Sequence, residues 1–154
     1  MTAATTIMKF SSFSCCELQT VARSTHPWDT QTMLSDAVLD HFQSPRNAGK
    51  LANATASVDV TNPVCGDILY LAARLEPQSH RIAEARFLCQ GCTTAIACAS
   101  LLTVEIKNKT ISEAAHINAD YLSTQLGGLP PATLHAAQLA AAALTQLLAK
   151  LKSR

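Results

Sequence analysis

The amino-acid sequence predicts an α+β domain in which a small three-stranded antiparallel sheet packs against several helices. Alternating apolar residues indicate a first strand at 56–60, and two further apolar runs, 68–75 and 81–88, flank a short turn. Strands joined by such short links favour an antiparallel meander. Helical apolar spacing follows through the C-terminal half of the chain. A small sheet followed by a run of helices is typical of the α+β class.

Five helices are predicted, and start or stop signals bound them. They cover the segment between Ser35 and Pro45, Thr93 to Lys107, a short helix at the capping-box residues Thr110 to Glu113, residues 118–126, and Ala132 to Lys152. Pro45 ends the first helix because proline cannot continue the helical hydrogen bonding. Gly127-Gly128 provides the C-terminal stop of the fourth. The last helix is rich in alanine, which has the highest helix propensity.

Composition limits the classes of function. The chain has 154 residues, about one domain, and its twelve Lys and Arg residues nearly balance its eleven Asp and Glu residues. Nucleic acid is therefore not expected as a partner, because binding to phosphates needs an excess of positive charge. A membrane is not expected either, since no stretch approaches the roughly 18–20 consecutive apolar residues of a membrane span. The reactive groups that stand out are six cysteines and five histidines.

The six cysteines do not predict a disulfide framework. A chain of this length can build a core without cross-links, and residues 1–12 lack the basic start and apolar run of a secretory signal. In a reducing compartment, clustered cysteines are more often metal ligands or reactive thiols than bridges. We therefore expect a cytoplasmic protein whose cysteines are candidates for metal chemistry.

Residues 1–32 differ in composition from the rest of the chain, and we expect a disordered N-terminal extension there, followed by the folded domain at 33–154. Ser and Thr are abundant in this segment and acidic residues are scarce. Two alternatives stay open. Translation could start at Met33, or the segment could be a targeting peptide, although it holds only two basic residues. Cys15 and Cys16 belong to this segment and receive no role.

Metal-binding side chains occur at three places where the backbone is expected to be irregular. The candidates are Cys65 and Asp67 in the loop between two strands, Cys92 where a strand ends and a helix begins, and His135 after a Pro-Pro turn. Thiolate, carboxylate and imidazole together suit a tetrahedral zinc ion or an iron–sulfur cluster. A helix N-terminus is also expected to lower the pKa of the Cys92 thiol. By spacing alone, structural roles for these residues are favoured over metal binding.

Four segments follow one another in a distinctive order: LSDAVLDHFQSPRNAG (Leu34 to Gly49), NPVCGD (Asn62 to Asp67), FLCQGCTTAIACAS (Phe87 to Ser100) and LPPATLH (Leu129 to His135). Together they resemble the IscU/NifU-type iron–sulfur cluster assembly scaffolds. The resemblance implies an IscU/SufE-like α+β fold. It also implies a labile cluster, expected to be 2Fe–2S, or a zinc ion, with Cys65, Asp67, Cys92 and His135 as ligands.

The same resemblance implies a scaffold or carrier and not an enzyme. Such a protein receives sulfur from a cysteine desulfurase, holds iron as a cluster, and passes the cluster to apo iron–sulfur client proteins. The family's Hsp70-recruiting segment reads LPPVK, whereas this chain has LPPAT at 129–133, so a dedicated Hsp70-type chaperone is not implied. The sheet edge and low charge allow either a monomer or a homodimer.

The sequence departs from the family at the residue after the histidine. Family scaffolds place a third cysteine there, as a cluster ligand implicated in accepting sulfur, and this chain has Ala136. Cys89 is the candidate substitute ligand, although strand alternation points it the same way as Phe87 and favours a place in the core. Cys98 is expected in the core, because six residues of helix turn it away from Cys92.

Three hypotheses for the site therefore stay open. The first is an iron–sulfur scaffold with a reduced ligand set. The second is a zinc-bound structural or regulatory protein without a cluster, since two thiolates, a carboxylate and an imidazole complete a tetrahedron. The third is a sulfur-relay protein that carries a persulfide on Cys92.

Overall fold

Nine elements follow one another along residues 34–153, the part of the chain described by this structure, a computed structural model. They are α1 (Asp36–Gln43), β1 (Ala56–Thr61), β2 (Ile68–Leu75), β3 (Ile82–Gln90), α2 (Thr93–Ile106), α3 (Ile111–Ala114), α4 (Ala119–Gln125), a 3₁₀ turn (Pro131–Thr133) and α5 (Leu134–Lys152). The extension expected over 1–32, with Cys15 and Cys16, lies outside the described residues.

The three strands form one antiparallel sheet with the order β1-β2-β3, which confirms the predicted meander. Ile68 at the start of β2 pairs with Thr61 of β1 on one side and with Gln90 of β3 on the other. β3 thus ends two residues later than predicted, because Cys89 and Gln90 continue the ladder with β2. This end of the sheet carries the loop between β1 and β2.

One face of the sheet is covered by two helices. α5 packs on β1 and β2, α2 packs on β3 and on α5, and α1 and α4 pack on the outside of this pair. The largest side chains buried between these layers are Phe87, Leu69, Leu71, Ile82, Leu102, Ile106, Leu144 and Leu147. Full burial of such a side chain contributes roughly 1.5–3 kcal/mol, so this interface is the main source of stability.

The segment Pro131–Lys152 is long and apolar enough, by length and composition alone, to cross a membrane. In the fold its apolar side faces the sheet, α2 and α4. Nine of its residues are buried there: Ala136, Ala137, Leu139, Ala140, Ala143, Leu144, Leu147, Leu148 and Leu151. α5 therefore has the environment of a core helix.

α5 begins at Leu134, two residues later than predicted. Pro131–Thr133 forms a 3₁₀ turn, in which the Thr133 N–H donates to the Pro130 carbonyl at 2.8 Å. Thr133 has φ −114° and ψ −1°, which departs from α-helical geometry and sets the start of the helix. His135 consequently lies in the first turn of α5, at the end of the helix nearest to the β1–β2 loop.

The segment between α1 and β1 is tied to α2 through buried hydroxyl groups. Ser100 Oγ lies 2.8 Å from His41 Nδ1 and accepts a hydrogen bond from the Arg46 N–H at 2.8 Å. Asn47 donates its side-chain N–H to Thr103 Oγ1 at 3.2 Å. The polar residues of the DHFQSPRN segment thus fix the position of α1 on α2.

Candidate metal centre

Main-chain hydrogen bonds close the loop between β1 and β2 and hold Cys65 and Asp67 in place. The Asn62 N–H donates to the Asp67 carbonyl and the Gly66 N–H donates to the Asn62 carbonyl, both at 2.8 Å. The Asn62 side-chain oxygen also accepts from the Val64 N–H at 2.9 Å. Gly66 has φ +75°, a conformation that residues with a side chain rarely adopt. The loop therefore presents a thiol and a carboxylate on either side of a required glycine.

Three of the four predicted ligands come together at this loop. Cys65, Asp67 and His135 each offer one ligand atom, and these atoms all lie within 4.8 Å of one another. Cys65 is exposed, His135 is partly buried and Asp67 is buried, so the carboxylate forms the inner wall of the group. The arrangement joins the β1–β2 loop to the start of α5.

Asp67 provides a test of whether a cation fits this group. The residue is 7% exposed, and its Oδ2 atom is buried without a hydrogen-bond partner among residues 34–153. A buried polar oxygen of this kind is unfavourable unless it is paired. A metal ion held together with Cys65 and His135 supplies the missing partner, so the residues present fit a metal.

Gly91 makes room for the Asp67 carboxylate. A Cβ atom at Gly91 would lie 2.7 Å from Asp67 Cγ and 3.0 Å from Asp67 Oδ1. Favourable contacts between carbon atoms lie at about 3.5–4.0 Å, so any side chain here would displace the carboxylate. Gly91 received no role from the sequence, although a glycine directly before a predicted ligand is a usable signal.

Cys92, the fourth predicted ligand, lies beside this group and is not part of it. It is the N-cap residue of α2, with φ −71° and ψ 166°, and its sulfur makes no capping hydrogen bond of normal geometry within the described chain, although the Ala95 and Thr94 N–H groups lie near it. Its sulfur is absent from the set of atoms within 4.8 Å of one another, but the Asp67 carboxylate acts on the thiol both through its charge and as a hydrogen-bond acceptor. Cys92 thus adjoins the carboxylate from the α2 side.

The prediction that the helix start lowers the pKa of Cys92 is wrong for this structure. Burial raises the pKa of the thiol and the neighbouring Asp67 carboxylate adds to the effect, while the backbone N–H groups of Ala95 and Thr94 act in the opposite direction. The helix N-terminus does favour the thiolate, but desolvation outweighs it. The metal-free protein therefore holds Cys92 as a neutral thiol at neutral pH.

Two further cysteines lie on the core side of the site. Cys98 in α2 is fully buried, which confirms its place in the core, and burial raises the pKa of its thiol to about 12. Cys89 is partly buried and packs against the core on the side of β3 that Phe87 occupies. Burial, followed by the charges of Asp67, Cys92 and Cys65, raises the pKa of Cys89 to about 11.

Ala136 occupies the position at which a third cysteine is expected from the resemblance to the IscU/NifU-type scaffolds. It is 1% exposed and belongs to the hydrophobic core, as does its neighbour Ala137. Its methyl group has no donor atom, so α5 contributes His135 alone to the metal centre.

Comparison with known proteins connects this geometry to a family. Residues 33–154 match the family model described as the NifU-like N terminal domain. The iron-sulfur cluster assembly scaffold protein IscU 1 of Archaeoglobus fulgidus is 45% identical over 112 residues, which are 73% of this chain and 72% of that protein. The iron-sulfur cluster assembly scaffold protein IscU of Escherichia coli is 36% identical over 123 residues, covering 78% of this chain and 94% of that protein.

Two solved structures are similar in fold. The N-terminal part of a nitrogen-fixing NifU-like protein from Brucella abortus aligns with a TM-score of 0.60 at 15% identity, covering 77% of this chain and 94% of that one. A suggested iron-sulfur cluster assembly scaffold protein of the SUF system from Fervidobacterium islandicum aligns with a TM-score of 0.63 at 20% identity, covering 77% of this chain and 98% of that one. At these identities the two structures support the fold alone. On the sequence matches, the chain belongs to the NifU-like N terminal domain family.

Proposed function

We propose that this protein is an iron–sulfur cluster assembly scaffold or carrier, which binds iron and a labile cluster and transfers the cluster to apo-proteins. The observation that carries the proposal is the convergence of Cys65, Asp67 and His135, in which a buried carboxylate oxygen has no partner within residues 34–153. Relatives that match most of the chain are named as scaffolds of this kind.

The proposed ligands are Cys65, Asp67, Cys92 and His135, and the proposed cargo is a 2Fe–2S cluster. Thiolates are soft ligands that suit iron–sulfur clusters, whereas the carboxylate of Asp67 is a hard oxygen donor that holds such a cluster weakly. A set with one weak ligand is suited to release, because an incoming thiolate of a client protein can displace the carboxylate. Imidazole ligation by His135 raises the reduction potential relative to an all-thiolate cluster.

The chain itself is proposed to carry out no bond-making catalysis. A cysteine desulfurase supplies the sulfur, apo iron–sulfur client proteins receive the cluster, and a reducing cytoplasm keeps the thiols available. Because Ala136 replaces the cysteine implicated in accepting sulfur, the sulfur must reach the iron without a thiol at that position. The sulfur-relay hypothesis for Cys92 has less support, since burial raises the pKa of its thiol and keeps it protonated.

One observation favours zinc binding as a second function. The three ligand atoms lie within 4.8 Å of one another, which suits a single ion, and the adjoining Cys92 sulfur would have to move towards them to complete a closed tetrahedron. Such a site has no open position for catalysis. The protein would then be a structural or regulatory zinc-binding member of the family.

Anaerobic reconstitution separates the two functions. Metal-free protein is incubated with ferrous iron, cysteine and a cysteine desulfurase, then desalted, and its visible absorption, iron and acid-labile sulfide are measured. We expect a coloured protein with iron and sulfide in equal amounts. The His135→Ala variant should lose the colour, while Cys98→Ala, which removes a thiol from the core, should retain it. A colourless wild-type protein that instead retains one zinc ion through dialysis would establish the zinc function.

A further inference from the structure

One thiol close to the centre has no place in the proposed ligand set. Cys89 is the penultimate residue of β3 and pairs with Leu69 of β2. Asp67 lies two residues before Leu69, so strand alternation puts Asp67 and Leu69 on the same face of the sheet. That face is the one covered by α2 and α5.

The position of Asp67 opposite Gly91 shows where Asp67 lies relative to Cys89. The last pair of the β2–β3 ladder is Ile68 with Gln90, and the contact of Asp67 with the Cβ position of Gly91 continues that register by one step. Cys89 is therefore the diagonal neighbour of Asp67 on the inner face. Diagonal neighbours on antiparallel strands are about 7–8 Å apart, too far for two short side chains to touch, so a metal centre that uses both would have to span the gap.

Cys89 and Cys92 lie on either side of Gly91, the residue opposite Asp67, with Cys-x-x-Cys spacing. The same spacing occurs among the cysteine ligands of ferredoxin clusters. Asp67 and the Cys65 and Cys92 thiols are close enough to influence the pKa of Cys89 electrostatically. Cys98 is no equivalent candidate, because it is fully buried within the core.

The distance of the Cys89 sulfur from the other ligand atoms indicates which kind of metal centre it can bind. Ligands of one zinc ion bind at about 2.0–2.3 Å, so two of them lie at most about 4.6 Å apart. Cys89 is outside the group of atoms within 4.8 Å of one another, among the described residues. A centre with two metal ions spans a greater distance and can use ligands on both sides of Asp67.

We propose that Cys89 supplies the third thiolate of the cluster and replaces the cysteine that this chain lacks at Ala136. The inference rests on the proposed scaffold function. The Cys65, Cys89 and Cys92 thiolates and the His135 imidazole would then hold the complete cluster. Asp67 would hold iron before the Cys89 thiolate takes its place. Each thiol releases its proton to solvent as its sulfur binds iron.

The test uses Cys89→Val, because valine favours a strand and replaces the sulfur donor by methyl groups that cannot bind a metal. Wild-type protein, Cys89→Val and the matched core variant Cys98→Val are reconstituted anaerobically, and the decay of their visible absorption is followed after addition of an iron chelator. Loss of a ligand should shorten the half-life of the cluster at least about tenfold, since changes next to metal ligands already weaken binding by 10–100-fold. Cys98→Val should stay within about twofold of wild type.

A rescue and a zinc titration complete the test. The double variant Cys89→Val/Ala136→Cys restores a third thiol at the family position and should regain most of the cluster lifetime. Zinc affinity of the metal-free Cys89→Val variant should match wild type, which shows that the fold and the Cys65, Asp67 and His135 group are intact.

Three outcomes separate the proposals. A cluster in Cys89→Val that loads and decays as in wild type would overturn the role of Cys89 and leave the scaffold function standing. Equal losses in Cys89→Val and Cys98→Val would also overturn it, because removal of a core thiol would then explain both. A wild-type protein that acquires no cluster would overturn the scaffold function and this inference together.

Discussion

The carboxylate of Asp67 lies directly against Gly91, so that a Cβ atom at Gly91 would be 2.7 Å from Asp67 Cγ. The φ of Gly91 lies outside the left-handed range, so the glycine is required here for space and not for backbone conformation. This contact joins the β1–β2 loop to the start of α2 and fixes where the carboxylate points.

Gly91→Ala should therefore displace Asp67 from the centre. We expect the zinc affinity of the metal-free protein to fall by about 10–100-fold, as for other changes that misorient a metal ligand. The added methyl group should lower the free energy of unfolding by about 1–3 kcal/mol, as overpacking does. Calorimetric zinc titration and urea denaturation measure the two effects. In Gly91→Ala/Asp67→Ala the loss of stability should shrink, because the clashing partner is gone; strictly additive losses would contradict the contact.

Asp67→Ala should change stability in opposite directions with and without metal. In the metal-free protein the variant removes a buried oxygen that has no partner within residues 34–153, so the free energy of unfolding should rise by about 1–3 kcal/mol. With saturating zinc the variant should be less stable than wild type, because it has lost a ligand. Urea denaturation in both conditions measures this, with exposed Asp59→Ala as the control. Destabilisation of the metal-free variant would show that the carboxylate is satisfied by the protein itself.

Alkaline pH should destabilise the metal-free protein through its buried thiols. Burial raises the pKa of Cys98 from 9.0 to about 12, so the folded chain keeps the proton that the unfolded chain loses. A raised pKa contributes stability that is complete below pH 9 and is lost as pH rises towards 12. The slope is about 1.4 kcal/mol per pH unit for each such thiol. Denaturation between pH 8 and about 11 should show a shallower decline in Cys98→Ala than in wild type; parallel curves would count against it.

Ser100→Ala should weaken the attachment of α1 without affecting metal binding. Ser100 Oγ contacts both His41 Nδ1 and the Arg46 N–H at 2.8 Å, and the serine is fully buried. Removing it leaves buried groups unpaired and should cost about 1–3 kcal/mol of unfolding free energy. Ser100 lies about 12 Å along α2 from Cys92, so zinc affinity should stay within twofold of wild type. Exposed Ser112→Ala serves as the control, and a large loss of zinc affinity in Ser100→Ala would contradict the separation of the two sites.

Local sequence signals were sufficient for most of the fold. Thr110 and Glu113 form the predicted capping box, and Gly127 and Gly128 end α4 with φ of 83° and 87°. These features depend on residues a few positions apart, which a sequence displays directly. The end of β3 and the start of α5 were less accurate, because strand pairing beyond Leu88 and the 3₁₀ turn depend on contacts with other segments.

The site required information that a sequence does not contain. Side-chain chemistry made Cys65, Asp67 and His135 candidate ligands, but spacing alone favoured structural roles, and the resemblance decided between the two. The direction of the Cys92 pKa shift was missed because the helix start is visible in the sequence, whereas the burial that outweighs it is not. The role of Gly91 depends on the strand register that places it against Asp67.

Cys65 and His135 are seventy residues apart in the sequence, yet their ligand atoms belong to one group that joins the β1–β2 loop to α5. A bound metal centre would therefore act as a clamp across two parts of the chain that local structure does not connect. Free ligand at 100 times its dissociation constant stabilises a fold by about 2.7 kcal/mol. The cluster-bound and cluster-free forms should consequently differ in rigidity. A client protein that removes the cluster should also loosen α5, the helix that carries His135.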